Sequence, residues 1–413
     1  MIRYLRASGL ALMLASPSLS GAIQPAPLPQ ASPLPSAQQP APQLPAPQLP
    51  APAWRRAAVL ELIAYVEQVG REGLDPADYR LADLRAAVGG GNEAAWSALA
   101  GDVFLKLSGD LSGGHVRGDD RRDWHMPDSS INGNEQQRLL AGVAQNGGVA
   151  ETLNGLLPTH SQYVGLRRAL ANTPASDETK RNLIRTNMER WRWMPRDLGE
   201  RHVIVNVPAF TAAVVDNGQV VARHRTVVGS RRTPTPQLVS NAVAVTFNPW
   251  WTVPQSIIRE LGSMRGYEVR RNGGQLIVRQ PPGPRNSLGR LKIEMPNDHA
   301  IFLHDTPAQA LFSRPVRAFS HGCVRTQNIR DFAAVLLAPT GEWDRATIDS
   351  AIATGENQQT QLAAPVPVYI AYFTAAATND GDIVTYEDIY GRDTPVRQAL
   401  NQTGVATEVA SVD

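Results

Sequence analysis

The apolar positions of this 413-residue chain change period once, and the change divides it. From Trp54 to about Ala171 they recur at helical spacing. Val59, Leu62, Ile63, Val66 and Val69 fall on one stripe, with Gly70 placed to stop it. Asp75-Pro76 reads as a helix start with proline at the first helical position. Trp96 to Leu107 is a further periodic segment ended by Ser108-Gly109, and Gln136 to Val143 and Tyr163 to Ala171 complete a small helical unit. Residues 112–134, rich in Gly, Asp, Arg and Asn, read as a long loop. Near Arg201 the period shortens to that of strands. Val203 to Val207, Ala212 to Val215 and Val220 to Ala222 are β-rich, and Asp216-Asn217-Gly218 marks a hairpin turn. Short strands are expected at 243–246, 276–278, 291–293, 366–373 and 382–384, with one helix from Asn328 to Leu337 setting Ile329, Phe332, Ala333 and Leu336 on one face. The expected fold class is α+β and multidomain: a helical N-terminal domain and a mainly-β C-terminal domain, built as a sandwich or a barrel.

The N-terminal flank follows neither pattern. Arg3 and Arg6 precede a short apolar run, Gly9 to Ala15, and Ser20-Gly21-Ala22 supplies the small residues of a cleavage site, so residues 1–22 read as an export signal. The run is far short of the ~20 apolar residues of a membrane span. Gln24 to Ala53 carries no charge and repeats Ala-Pro-Gln-Leu-Pro at 41–45 and 46–50, which makes 23–53 an extended tether. The remaining expected divisions are 54–172 (helical domain), 173–200 (connecting helix), 201–340 (the β domain), 341–400 (its C-terminal extension) and 401–413 (a tail). With 42% hydrophobic and 19% charged residues the chain can build a sizeable core, and a net charge of +2 argues against a nucleic-acid partner.

The chain has one cysteine, which in an exported protein cannot form an intrachain disulfide and is either apolar filler or a reactive thiol. Its neighbours favour the second. Ser320-His321-Gly322-Cys323-Val324-Arg325 lies downstream of Phe302-Leu303-His304-Asp305. A thiol becomes a nucleophile beside an imidazole, a basic residue or a helix N-terminus, and this segment offers His304, His321, Arg325 and the helix from Asn328. Gly322 would let the backbone approach a substrate, with turn N–H groups as an oxyanion hole. Zinc held by His304, His321 and Cys323 is the competing reading, but Ser-His-Gly-Cys lacks a metal-ligand spacing, so no metal and no other cofactor is expected.

His304, fifteen intervening residues, then Ser320-His321-Gly322-Cys323 resembles the L,D-transpeptidases with a YkuD-type catalytic domain. Met188 to Trp193, Pro195 to Gly199, Asn248 to Pro254 and Glu387 to Asp393 are similar to a longer Gram-negative periplasmic subgroup that carries an N-terminal scaffold domain. The resemblance implies a β-sandwich-like catalytic domain, Cys323 as nucleophile and His304 as proton acceptor and donor. Ser320, His321, Gly322 and Arg325 would support the catalytic loop, and Trp251 would wall the donor cleft. It implies a periplasmic enzyme whose partners are peptidoglycan stem peptides, a donor tetrapeptide and an acceptor amine, and acylation of Cys323 by carbapenems. An L,D-carboxypeptidase or endopeptidase using the same thioester, and a non-catalytic wall-binding scaffold protein, are the alternatives. Three departures from the subgroup stand out: no peptidoglycan-binding module between scaffold and catalytic domain, a short cap after Pro254, and Phe302 where relatives have Tyr.

Overall fold

The computed structural model describes residues 52–402. The export segment, the tether up to residue 51 and the tail from 403 lie outside the described residues.

Seven helices come first: α1 (Arg56–Glu67), α2 (Leu81–Gly89), α3 (Glu93–Gly113), α4 (Gly133–Asn146), α5 (Val149–Asn154), α6 (Ser161–Asn172) and α7 (Glu178–Trp193). Side chains close their N-termini: Asn92, Asn132 and Asp177 accept from the N–H groups of Ala95, Glu135 and Lys180. The α1 stripe is buried as its spacing requires. Two local expectations change. Asp75 does cap a turn, accepting from Ala77 N–H, but Pro76–Tyr79 is a single 3₁₀ turn, stopped by Arg80 in the left-handed region. And α3 runs past Ser108-Gly109 to Gly113, because Ser108 and Ser112 donate back to the carbonyls of Leu105 and Gly109 and stay within the helix. Gly114, at φ +91°, ends it.

The strands are β1 (Trp124–His125), β2 (Arg201–Asn206), β3 (Thr211–Asp216), β4 (Gln219–Gly229), β5 (Gln237–Phe247), β6 (Trp251–Thr252), β7 (Glu268–Asn272), β8 (Gln275–Gln280), β9 (Leu291–Glu294), β10 (Leu303–His304), β11 (Ala318–Ser320), β12 (Val324–Thr326), β13 (Gln358–Ala371), β14 (Ala375–Ala377) and β15 (Ile383–Thr385). Among them lie α8 (Gln255–Ile258), α9 (Ile329–Leu337), α10 (Arg345–Ala353) and α11 (Asp393–Asn401). Asn217 and Gly218, both at positive φ, make the β3–β4 turn. The main sheet runs β1-β5-β13-β2-β3-β4-β12-β10-β9, and β9 pairs back onto β5. The β domain is therefore a sheet closed on itself, with β1 from the helical region added outside the closure. Strand alternation fills the inside with Val203, Val205, Val214, Val245, Ile293, Leu303 and Val324, joined by Phe332 and Leu336 of α9.

Residues 341–400, expected as an extension, supply β13, which sits between β5 and β2 in mid-sheet. Alternate side chains of β13 serve two cores: Val368 and Ile370 face the closed sheet, while Tyr369 and Ala371 pack with the helices. One strand thus joins the two domains. The segment after Pro249 forms a unit of its own, a sheet in the order β6-β8-β7 with α8, over a small core of Val253, Ile258 and Val278.

Candidate active site

The thiol sits on a turn held from several sides. Ser320 Oγ donates to the Cys323 carbonyl at 2.5 Å and accepts from Gly322 N–H at 3.2 Å, closing the turn on itself. Gly322 has φ +115°, and a Cβ there would stand 3.0 Å from Ile301 Cδ1, so only glycine fits without strain. The turn's carbonyls are fixed by the segment after β4. Ser230 N–H and Thr233 Oγ1 donate to Ser320 O at 2.8 and 3.1 Å, and Thr235 Oγ1 donates to Gly322 O at 2.7 Å. Cys323 itself is partly buried, its Sγ 3.6 Å from the Ala300 carbonyl. Burial pushes its pKa up; the Phe302 amide, Lys292 and Arg325 pull the other way without offsetting it.

His304 is placed by strand pairing. β10 and β12 run parallel with Leu303 opposite Val324 and His304 opposite Arg325, and Val324 N–H donates to Phe302 O at 3.0 Å. Leu303 and Val324 point into the core and alternation turns His304 and Arg325 to the other face, while Phe302 and Cys323, which precede the two strands, also pack partly against that core. His304 is 5% exposed, and its Nδ1 is 2.5 Å from the Asp305 carbonyl. A carbonyl only accepts, so Nδ1 carries the hydrogen and Nε2 keeps its lone pair. Burial, then the Arg325 charge, push the ring's pKa down to about 3 against the pull of the Asp305 and Leu288 carbonyls. The residue that orients the ring is itself anchored: Asp305 Oδ2 accepts from Arg290 N–H at 2.9 Å, and Asp305 N–H donates to Leu291 O at 2.9 Å. The site therefore holds a thiol and a neutral, oriented imidazole, suited to covalent catalysis with general base assistance.

Other expected contributors are placed differently. His321 is exposed and turned away, its Nε2 2.9 Å from Glu260 Oε2 in the unit built around β6 to β8. It ties that unit to the turn instead of stabilising a thiolate. The helix N-terminus is also removed from the thiol, because β12 intervenes before α9 begins at Ile329. Arg325 is half-buried, with its Nε lacking a partner. Trp251, on β6, packs against the small core of its own unit. Among the described residues no group of three or more His, Cys, Asp and Glu is placed to hold a metal ion.

Sequence reasoning missed Thr235, Glu260 and Asp305 as supports of the site. Asp305 was adjacent to the motif; the other two carried no local signal. The Glu387 to Asp393 segment, noted only as a resemblance, knots the fold beneath the turn. Asp388 accepts from Tyr372 OH at 2.7 Å and from the N–H groups of Arg392 and Asp393, and Tyr390 OH donates to Gly229 O at 2.5 Å. Asp393 pairs with the buried Arg190 of α7 at 2.6 Å.

Residues 200–370 match the family described as the L,D-transpeptidase catalytic domain, YkuD, and residues 47–170 match the scaffold domain family. The first range takes in β13, in keeping with its place in mid-sheet. A Haemophilus influenzae protein named "Putative L,D-transpeptidase" is 31% identical over 225 residues, which span 48% of this chain and 45% of that protein. The match thus covers somewhat less than half the length of that curated relative. Among solved structures, an L,D-transpeptidase from Mycobacterium smegmatis aligns at 14% identity over 42% of this chain and 58% of that one, with a TM-score of 0.24. Another L,D-transpeptidase, solved in complex with imipenem, aligns at 15% identity over 42% and 59%, with a TM-score of 0.23. Along the chain, then, a match to the scaffold domain family is followed by a match to the YkuD-type L,D-transpeptidase catalytic domain.

Proposed function

We propose that this chain acts in the periplasm as an L,D-transpeptidase that forms 3→3 crosslinks between peptidoglycan stem peptides through a thioester on Cys323. The observation that supports it best is the parallel pairing that sets the His304 strand beside the strand following Cys323, with His304 Nδ1 committed to Asp305. Cys323 Sγ attacks the carbonyl of the third, diamino acid residue of a donor tetrapeptide as its proton passes to His304 Nε2. The Cys323 N–H receives the developing oxyanion, since the Gly322 N–H is already engaged by Ser320 Oγ. The C–N bond to the terminal D-Ala breaks, and His304 returns the proton to the leaving amine. The side-chain amine of a second stem then attacks the thioester, giving its proton to His304 and from there to the departing thiolate. One peptide bond is exchanged for another, so neither nucleotide nor metal is consumed. A carbapenem would acylate the same sulfur.

The test is mass spectrometry of tetrapeptide muropeptides incubated with the chain and with its Cys323→Ala variant. A crosslinked dimer lacking one D-Ala, made only by the unaltered protein, is the expected product. Tripeptide alone would make the enzyme an L,D-carboxypeptidase, and equal turnover by Cys323→Ala would end the thioester scheme.

A further inference from the structure

We infer that the scaffold domain is part of the nucleophile's mounting: the tip of its long loop, Arg122–His125, holds the Cys323 turn by two paths, with Asp123, His125 and Arg392 as positioning residues. The consequence for turnover rests on the transpeptidase reading; the consequence for the thiol does not.

The first path is a chain of polar contacts. Asp123, at φ +51°, pairs through its carboxylate with Arg392. Arg392 is 4% exposed, and the same Nη2 donates to the Thr235 carbonyl at 3.2 Å. Thr235 Oγ1 in turn donates to the carbonyl of Gly322, the residue before the nucleophile. The Arg392 guanidinium lies over the rings of Tyr390 and Tyr372, and Tyr390 OH accepts from Thr235 N–H at 3.3 Å. Arg392 Nη1 is buried without a partner, so Asp123 is the carboxylate that compensates a desolvated cation.

The second path runs through a pair of imidazole rings. The ring of His125 lies on that of His299, with centroids 4.1 Å apart. His299 precedes Ala300, a non-glycine residue at φ +52° whose carbonyl faces Cys323 Sγ. Both paths start from a segment that is itself fixed. β1 pairs with β5 in parallel, Gln237 N–H donates to Asp123 O at 2.9 Å, and the Gln237 side chain donates to Arg122 O at 2.8 Å.

Holding the domains together does not require these contacts. Lys180–Asp382, the Gln162 side-chain amide on Ala377 O at 3.0 Å and the Tyr369 hydroxyl on Leu198 O at 3.3 Å already do so, and none of them involves a residue of the turn or of its supports. The Arg122–His125 tip differs in where its contacts lead, through Arg392 and Thr235 to the Gly322 carbonyl and through the His299 ring to the residue before Ala300.

The experiment uses the full chain with Asp123→Ala, His125→Ala, Asp123→Asn and, as a bridge remote from the turn, Lys180→Ala. Two rates are read. One is turnover of tetrapeptide; the other is alkylation of the chain's single cysteine by iodoacetamide at pH 8. Loosening the turn misplaces the nucleophile and uncovers it, so the two rates should move in opposite directions. In Asp123→Ala and His125→Ala, kcat should fall about tenfold or more with KM within about twofold, while alkylation rises about threefold or more. Asp123→Asn, which keeps an acceptor for Arg392, should recover much of the loss, and Lys180→Ala should leave both rates unchanged. If Asp123→Ala and His125→Ala behave like Lys180→Ala, or if both rates change only as melting temperature falls, the inference is overturned. If the unaltered chain turns over no muropeptide, the proposed function fails, and the alkylation rates alone decide the positioning role.

Discussion

A buried neutral His304 must make the protein less stable in mild acid, and the amount can be worked out. The unfolded ring takes up a proton with a pKa near 6.5, whereas in the fold burial, reinforced by Arg325, lowers it to about 3. Stability rises with pH wherever the unfolded chain binds more protons, so this ring's contribution is intact above about pH 6.5 and erodes down to about pH 3. At ~1.4 kcal/mol for each unit, the loss between pH 7 and pH 5 is about 2 kcal/mol. His160, pushed down to about 4 by burial, adds a loss of the same sign, as do other groups, so the slope of the unaltered protein does not isolate His304. His304→Gln does, because the amide can still donate to Asp305 O but cannot titrate. Urea unfolding of both proteins at pH 5 and pH 7 should show the His304→Gln variant losing about 2 kcal/mol less over that interval. Equal losses would mean that His304 keeps its ordinary pKa in the fold, and the lowering ascribed to its burial and to Arg325 would be refuted.

Three further outcomes follow from the same geometry. Alkylation of Cys323 should climb with pH through an apparent thiol pKa above its ordinary value of 9.0, because burial raises it; a plateau reached below pH 7 would reveal a resting thiolate–imidazolium pair and contradict this. Gly322→Ala should cost about 1–3 kcal/mol from its positive φ and lower turnover by shifting the turn that carries Cys323; a variant with normal melting and activity would show that the turn tolerates a side chain. Glu260→Ala removes an exposed pair with His321, so stability should change by less than about 1 kcal/mol. The unit of β6 to β8 then loses its tie to the turn, and the ratio of hydrolysis to crosslinking, measured on muropeptides, should rise. An unchanged ratio would separate water exclusion from this contact.

Local chemistry was legible in the sequence, and distant pairing was not. The change of period at Arg201 marks the boundary between helices and sheet because amphipathic spacing records which face is buried. The His304 to Cys323 spacing is readable for a related reason: β10 and β12 are neighbours in one sheet, with a short excursion between them. His321 shows the limit of that logic. It lies two residues from the thiol in the chain, yet its imidazole is claimed by a partner 61 residues away. The length of the segment after Pro254 does not show that β8 pairs with both β6 and β7 and gives the unit its own core.

The part played by the scaffold was hidden for a more general reason. Its loop at 112–134 is polar and aperiodic, and a polar loop reads as solvated unless its partners are known. Here the partners are Arg392, 269 residues away, and Gln237, 115 residues away. Neither contact leaves a periodic trace, because each is a single polar group meeting another at the end of a long chain excursion. β13, late in the chain, is central in the sheet and turns alternate side chains to the two cores, so the Arg392 turn that follows it is reached only through a strand that both domains hold.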